Sequence, residues 1–313
     1  MNIELLLNHA SRHKAVYFLG AGASAGLMPT MRDVPLSSRQ KVKDYGSFDI
    51  NSYPDTEYRN CLNLSTENLD LSNMDDCKVK HTNEPALKLA YDRSFIDVSC
   101  KIVCSGEVPQ QYRFFNLVPI CPAIITLNTD AIVNYVRHIR IVELHGSVLT
   151  YENKGRLFHR SYKLIKNWVT QEEDGVVEFG IRVFEPVIVR PGEAEKPELK
   201  SMWDAAYKFL RMAEAIFVIG YSFPIYDEPV RQLFISTLKG RHCPIHVIDF
   251  FNAYEVAEKL REHLKQSSVF AWQLDWRAFS KAVWQIAYAS KKFIIADLQP
   301  LSKVILKKYS RGL

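Results

Sequence analysis

Five short, predominantly apolar runs, Ala15–Leu19, Ala123–Leu127, Ile139–Leu144, Ala215–Ile219 and Ile245–Ile248, are each followed at once by Gly20, Asn128, His145, Gly220 or Asp249. A strand with one wet face alternates apolar and polar residues, whereas a run that is apolar throughout must be covered on both faces. That demand is met by a parallel sheet between two layers of helices. Helical spacing appears where such layers are needed. It shows as Met202, Trp203, Ala206, Phe209, Leu210 and Ala213 within 199–214. The same spacing recurs as Val230, Leu233, Phe234 and Leu238 within 227–238, and as Val256, Leu260 and Leu264 within 252–264. From Leu199 the order is helix, strand, helix, strand, helix, the pattern of crossover units. The predicted fold class is therefore α/β, a Rossmann-like doubly wound parallel sheet with an inserted smaller helical or irregular lobe.

The boundaries follow from where the alternation fails. Residues 15–28, 123–150 and 186–275 read as the Rossmann-like core. Residues 29–122, with an Asn- and Asp-rich patch over 51–83, and residues 151–185, rich in aromatic and β-branched types, read as the inserted lobe. The second of these suggests irregular strands or a hairpin. Residues 276–313 read as a basic C-terminal helical segment, and the 313 residues form one domain with insertions. From Lys291 onward Lys291, Lys292, Lys303, Lys307, Lys308 and Arg311 face only Asp297, which matches the whole chain's net charge of +5. Such a tail is either a solvated helix face or a surface for nucleic acid or an acidic partner.

No apolar run approaches the roughly 18 residues of a membrane span, and the first residues, MNIELLLNHASRHK, do not resemble a signal peptide. A cytoplasmic protein without membrane contact is expected. The six cysteines are scattered, and the nearest two, Cys100 and Cys104, lack a second pair to complete a tetrahedral site. No metal, and in particular no zinc, is expected.

Chemistry concentrates at the strand ends. Gly20-Ala21-Gly22-Ala23-Ser24-Ala25-Gly26 follows the first run. Small residues there let backbone approach a pyrophosphate, although a tight turn alone would need the same residues. Thr126-Leu127-Asn128-Thr129-Asp130 is either a ligand contact or a helix cap. His145, followed by Gly146 and Ser147, is either a structural or a catalytic histidine. Gly220-Tyr221-Ser222-Phe223-Pro224 and Asp249 complete the set, and an aspartate in that place suits a ribose hydroxyl. In a doubly wound sheet all five strand ends border one crevice, so the joint pattern exceeds any single member.

This ordered set resembles the motifs of the sirtuin family, which show a Gly-Ala-Gly-x-Ser loop, a Thr-x-Asn-x-Asp segment, a His-Gly pair and a later Gly-x-Ser. Pro186 to Glu193 resembles the family's stretch between the last two motifs. The resemblance implies NAD as substrate. Gly20, Ala21, Gly22 and Ser24 would cradle its phosphates, and Asn128 would lie beside the nicotinamide ribose. Asp130 would contact the carboxamide, His145 would act as a base on the ribose hydroxyls, Ser222 would meet phosphate or ribose, and Asp249 would sit near the adenosine. Arg32 falls near a sirtuin arginine, one residue short in spacing.

Deacetylating sirtuins carry a zinc ribbon of two cysteine pairs after His-Gly, and residues 147–185 contain no cysteine. The segment Tyr221-Ser222-Phe223-Pro224-Ile225-Tyr226-Asp227 resembles instead a divergent prokaryotic branch of NAD hydrolases tied to phage defence by NAD depletion. The resemblance thus implies an NAD⁺ glycohydrolase. A deacylase or ADP-ribosyltransferase, and a non-catalytic NAD or ADP-ribose sensor in a larger complex, are the alternatives. Because free-running NAD hydrolysis would kill its host, control by homo-oligomerisation or a regulatory partner is expected.

Overall fold

Alternation along each strand sorts the core into two layers. In the computed structural model, which describes residues 3–25, 27, 108–118, 123–130, 132–135, 140–153, 156–159, 186–188, 197–225 and 227–301, six parallel strands form the main sheet. They are β1 (Ala15–Leu19), β2 (Ala123–Thr126), β3 (Arg140–Glu143), β7 (Ala215–Ile219), β8 (Ile245–Asp249) and β9 (Val269–Gln273). Ala15, Tyr17 and Leu19 face one layer with Phe217, Ile219, Ile248 and Trp272, and Val16 and Phe18 face the other with Ile216, Val218, Ile245 and Val247. Helices α1 (Ile3–Ala10) and α5 (Trp276–Ser290) cover the first face, together with a 3₁₀ segment at Gln110–Asn116. The second is covered by α2 (Lys200–Met212), α3 (Glu228–Leu238) and α4 (Ala253–Leu264). The Gln110–Asn116 segment thus packs on the sheet, within the range that the sequence pattern assigned to the inserted lobe.

The strand order is β3-β2-β1-β7-β8-β9. Chain progress runs outward from β1 through β2 and β3, then restarts beside β1 and runs the other way. This is the Rossmann order, and the expected doubly wound parallel sheet is what the chain forms. Its switch point lies between β1 and β7, which pair in parallel from Ala15↔Ala215 to Leu19↔Ile219. Sequence pattern had not singled out β9, although Val269 to Trp272 is an apolar run; Phe270 and Ala271 are only half-buried and Gln273 is exposed, as befits an edge strand. A second sheet, order β5-β4-β6, is antiparallel and comprises β4 (Gly146–Asn153), β5 (Arg156–His159) and β6 (Pro186–Ile188). Its β5 and the end of β4 lie in 151–185, where irregular strands or a hairpin were expected, while the start of β4 and all of β6 fall in residues the sequence pattern read as Rossmann-like core. Arg32, the Asn- and Asp-rich patch and the basic residues from Lys303 onward lie outside the described residues. Among the described residues no helix is long and apolar enough to cross a membrane.

One feature of the first layer is polar. His246, on β8, is fully buried between the rings of Phe217 and Phe270, with centroids 4.9 and 5.1 Å away. Trp272 donates its indole N–H to His246 Nδ1 at 2.9 Å, so that nitrogen carries no proton. The remaining N–H, at Nε2, donates to Nδ1 of His9 on α1 at 2.7 Å. Both rings are therefore neutral, and the pair ties α1 to the sheet. Burial pushes His246 down to about 3 and His9 down to about 4, with the charge of Arg12 adding to both.

Because the folded chain binds these protons less readily than the unfolded one, the pair's stabilisation is complete above the ordinary histidine value of 6.5 and declines as pH falls below it. Thermal unfolding between about pH 7 and about pH 4.5 should show a midpoint that drops steadily. His246→Gln should start lower and drop less. An equal slope in the two proteins would contradict the neutral histidine pair.

Candidate functional site

The loops after β1 and β7 meet with no room for side chains. A Cβ on Gly20 would lie 2.5 Å from the Gly220 carbonyl oxygen, and one on Gly22 would lie 2.7 Å from Gly220 Cα. Gly220 itself has φ of +62°, and a Cβ there would come within 2.4 Å of the Gly22 carbonyl carbon. In exchange for this closeness the Gly20 amide donates to Ile219 O and the Gly22 amide to Gly220 O, both at 2.9 Å. Residues Ala21–Ser24 then form one 3₁₀ turn, in which the Ala23 amide donates back to Gly20 O at 2.9 Å. Three amides of the glycine-rich loop are thereby committed within the protein, which the motif alone could not reveal.

Ser24, at the end of that turn, is the hub of a buried network. Its hydroxyl donates to Asp130 Oδ2 at 2.6 Å and accepts from Asn128 Nδ2 at 3.0 Å. With its proton committed to Asp130, it also accepts from the Tyr112 hydroxyl at 2.6 Å. Asp130 Oδ1 accepts from the Ile132 amide at 2.9 Å, and the Asn128 amide donates to Thr126 Oγ1 at 3.0 Å. Thus three residues singled out in two separate motifs are joined directly. Burial raises the Asp130 carboxyl from 3.8 to about 6, against the hydrogen bonds from Ser24 and Ile132 that lower it, with nearby Glu143 adding to the rise.

Tyr112 was not anticipated. It belongs to the Gln110–Asn116 segment, which α5 clamps through Ser280: the hydroxyl donates to Gln110 O at 2.6 Å and accepts from the Phe114 amide at 3.1 Å. Gln111 adds a bond from its side-chain amide to Ala25 O at 2.9 Å. The sequence pattern read this stretch as part of the inserted lobe, and no local pattern marked the tyrosine as polar support for Ser24.

His145 stands just beyond β3, one strand out from β2. Its Nε2 lies 3.2 Å from Oδ1 of Asp227, and Oδ2 of the same carboxylate accepts from the Tyr221 hydroxyl at 2.7 Å. All three residues are buried. The loop after β7 therefore reaches past the ends of β1 and β2 to touch the histidine. In the sequence Asp227 begins a helical pattern and closes the segment Tyr221 to Asp227 that resembles the hydrolase branch, and neither reading marked it as a partner of His145. Ser222, on the same loop, is exposed, and Phe223 beside it adopts φ of 53° while stacking on Phe18. Asp249 is half-buried at the end of β8, where Oδ1 accepts from the Phe251 and Asn252 amides at 2.8 Å. It shapes the entry to α4, and the structure does not join it to the Ser24 network.

Five adjacent strand ends, β3, β2, β1, β7 and β8, thus carry His145, Asn128 with Asp130, Gly20 to Ser24, Gly220 to Ser222, and Asp249. Open α/β sheets bind ligands beyond the carboxyl ends of the strands at the switch point, which is where these residues lie. Among the described residues no group of three or more His, Cys, Asp or Glu is gathered as metal ligands.

No protein-family model matches the sequence, and no curated protein matches it. Solved structures to which the chain is similar include Sir2 proteins. A Sir2 homologue in complex with NAD is 14% identical with a TM-score of 0.48, covering 92% of this chain and 94% of its own. A substituted Sir2 homologue with 2′-O-acetyl-ADP-ribose is 16% identical with a TM-score of 0.47, covering 92% and 97%. A Sir2 protein with a deacetylated p53 peptide and 3′-O-acetyl-ADP-ribose is 15% identical with a TM-score of 0.45, covering 91% and 98%. The roles of individual residues rest on this chain's own contacts.

Two sets of variants check this geometry. Gly220→Ala should cost about 3 kcal/mol through both strain and overlap. Gly240→Ala, at φ of +75° with nothing within 4 Å, should cost only about 1 kcal/mol. Equal shifts of the urea midpoint would argue against backbone-on-backbone contact at the switch point.

Ser24→Ala tests the network, because it leaves Asp130 without an O–H donor. The folded chain holds the Asp130 proton more tightly than the unfolded chain, so its contribution is most favourable at low pH and is lost as pH rises through about 6. Ser24→Ala should therefore destabilise by about 2 kcal/mol near pH 8, where the carboxylate is charged, and by less near pH 5. Denaturation at both pH values would measure it, and a pH-independent loss would contradict the Ser24–Asp130 bond.

Proposed function

We propose that this protein is an NAD⁺ glycohydrolase, cleaving NAD⁺ to nicotinamide and ADP-ribose. One observation carries the reading. Ser24, Asn128, Asp130, His145, Ser222 and Asp249, which the sirtuin-like motif order picks out, lie just beyond or at the carboxyl ends of five adjacent strands, with the switch point among them. A dinucleotide spans such a crevice, its two halves lying on either side of the point where strand order reverses.

In this reaction the bond between C1′ of the ribose and the nicotinamide nitrogen breaks, and both electrons leave with neutral nicotinamide. A water oxygen bonds to C1′, and the proton it loses passes to a base. Positive charge builds on the sugar as the bond lengthens. Three buried carboxylates at these strand ends, Asp130, Glu143 and Asp227, supply a field of the right sign to stabilise it. Asn128, held by Ser24, would position the water beside the ribose. Asp130 fixes Ser24 and, on the motif resemblance, meets the carboxamide. His145 would take the proton, a role worth about 10²–10⁴-fold where geometry is right.

The pyrophosphate would lie over Gly20 to Ser24 and Gly220. The committed amides of Gly20, Gly22 and Ala23 make that loop first a close-approach surface, with the exposed Ser222 hydroxyl beside it as a donor. Water as acceptor is favoured by the lack of cysteine between Gly146 and Pro186, where deacetylating relatives carry the zinc ribbon that helps form a peptide groove.

Purified protein incubated with NAD⁺ should release nicotinamide and ADP-ribose in equal amounts, followed by chromatography. Asn128→Ala and His145→Ala should each lower kcat by about 10²-fold or more. Absence of turnover together with absence of NAD binding in a calorimetric titration would overturn the reading.

A further inference from the structure

Asp227 holds a position that usually has another use. It is the N-cap of α3, with φ of −102° and ψ of 47°, and its backbone carbonyl accepts from the Arg231 amide at 3.1 Å. An aspartate there ordinarily turns its side chain to accept from an amide of the first helical turn. Here the side chain makes no such bond. Both carboxylate oxygens go elsewhere, Oδ1 to His145 and Oδ2 to Tyr221, although the carboxylate is buried. The helix starts without this cap, with Pro229 in its first turn and needing no amide partner.

The chemistry of the pair settles the proton. A carboxylate oxygen only accepts, so in the neutral ring Nε2 must carry the hydrogen and donate it to Oδ1. Nδ1 is then the only ring nitrogen with a lone pair. Were the tautomer reversed, two lone pairs would face each other at 3.2 Å inside the protein. When Nδ1 accepts a proton, the new positive charge is shared with Nε2, directly beside the carboxylate that can offset it. Tyr221 anchors the other oxygen at 2.7 Å and leaves the carboxylate a single orientation. The same loop carries Gly220, locked to Gly20 and Gly22, so the reach from β7 to His145 starts from a fixed base.

We infer that Asp227 is a positioning residue, holding His145 from the far side of the switch point in the Nε2–H tautomer and leaving Nδ1 free to act as the base. The kinetic part of this inference rests on the reading of His145 as the base in NAD⁺ hydrolysis, and the tautomer part does not.

Asp227→Asn in the full chain keeps the shape of the side chain and removes the charge. Two readouts follow. Steady-state NAD⁺ hydrolysis should show kcat lowered by about 10²-fold with KM changed less than about twofold. Nitrogen-15 NMR of histidine-labelled protein, with the His145 signals assigned by their loss in His145→Gln, should show the Nε2–H tautomer in the parent. In Asp227→Asn it should show exchange between tautomers, and Tyr221→Phe, which leaves the carboxylate facing the ring, should keep the parent pattern. A thermal midpoint within a few degrees of the parent would confirm that α3 has lost no cap. An Nδ1–H tautomer in the parent, or an Asp227→Asn protein with unchanged kcat, would overturn the inference. If the parent hydrolyses no NAD⁺ but holds the Nε2–H tautomer only with Asp227 present, the positioning role stands and the hydrolase reading falls.

Discussion

The site depends on a contact between backbones. Gly20 and Gly22 lie against Gly220 so closely that a single methyl group on any of them would overlap main-chain atoms. Glycine is required at Gly220 for a second reason, since its φ of +62° strains any residue with a side chain. What the three residues obtain is a rigid junction between the two halves of the sheet. Gly20 and Gly22 donate across it, so the loops after β1 and β7 move as one piece. Ser24 lies one turn beyond this junction on one side, and Tyr221 with Asp227 lie beyond it on the other. Positions of the Asn128, Asp130 and His145 side chains follow, because each is hydrogen-bonded to a residue that the junction fixes.

The two faces of the sheet contribute unequally. The layer of α2, α3 and α4 packs hydrocarbon and aromatic side chains, among them Tyr221, whose hydroxyl reaches buried Asp227. On the opposite side the layer holds the His9–His246–Trp272 chain, the Tyr17 hydroxyl bonded to Ala10 O at 3.1 Å, and Ser280 gripping the Gln110–Asn116 segment. Buried polar groups stabilise only when they are matched, and a matched network fixes one arrangement where grease would allow several. Through Ser280 and Tyr112 this layer reaches Ser24 itself, so packing of α5 bears on the site although α5 contributes no residue to the crevice.

What could be read from the sequence was whatever depends on neighbouring residues. Apolar runs placed five of the six parallel strands, because burial on both faces leaves a local signature, and the residue after each run placed the candidate chemistry. Helical spacing likewise found α2, α3 and α4. The sixth strand, β9, was not singled out although Val269 to Trp272 is apolar; as an edge strand it is only partly covered. Tyr112 and Asp227 escaped for a different reason. Their partners are 88 and 82 residues away in the chain, and nothing in the residues around them distinguishes a hydroxyl or carboxylate that will be buried against a partner from one that will face water. Asp227 opens the helical pattern of 227–238, yet its side chain caps no amide of α3.

The two halves of the site differ in a way that bears on mechanism. Around Ser24 the hydroxyl has donated its one proton and accepted two others, and both Asp130 oxygens are engaged. Such a network can orient a ligand group but has little freedom to change its own protonation near neutral pH, apart from the raised Asp130 carboxyl. His145 is different, since one ring nitrogen is tied to Asp227 and the other bears a lone pair. On the proposed reading, this division suits Ser24, Asn128 and Asp130 to positioning and His145 to proton transfer. Transfer of a proton to His145 would create a cation beside Asp227, the same sign of charge that the proposed cleavage of NAD⁺ would build on the ribose. A carboxylate-rich crevice would therefore suit the proposed reaction, in which positive charge develops, better than one in which negative charge accumulates.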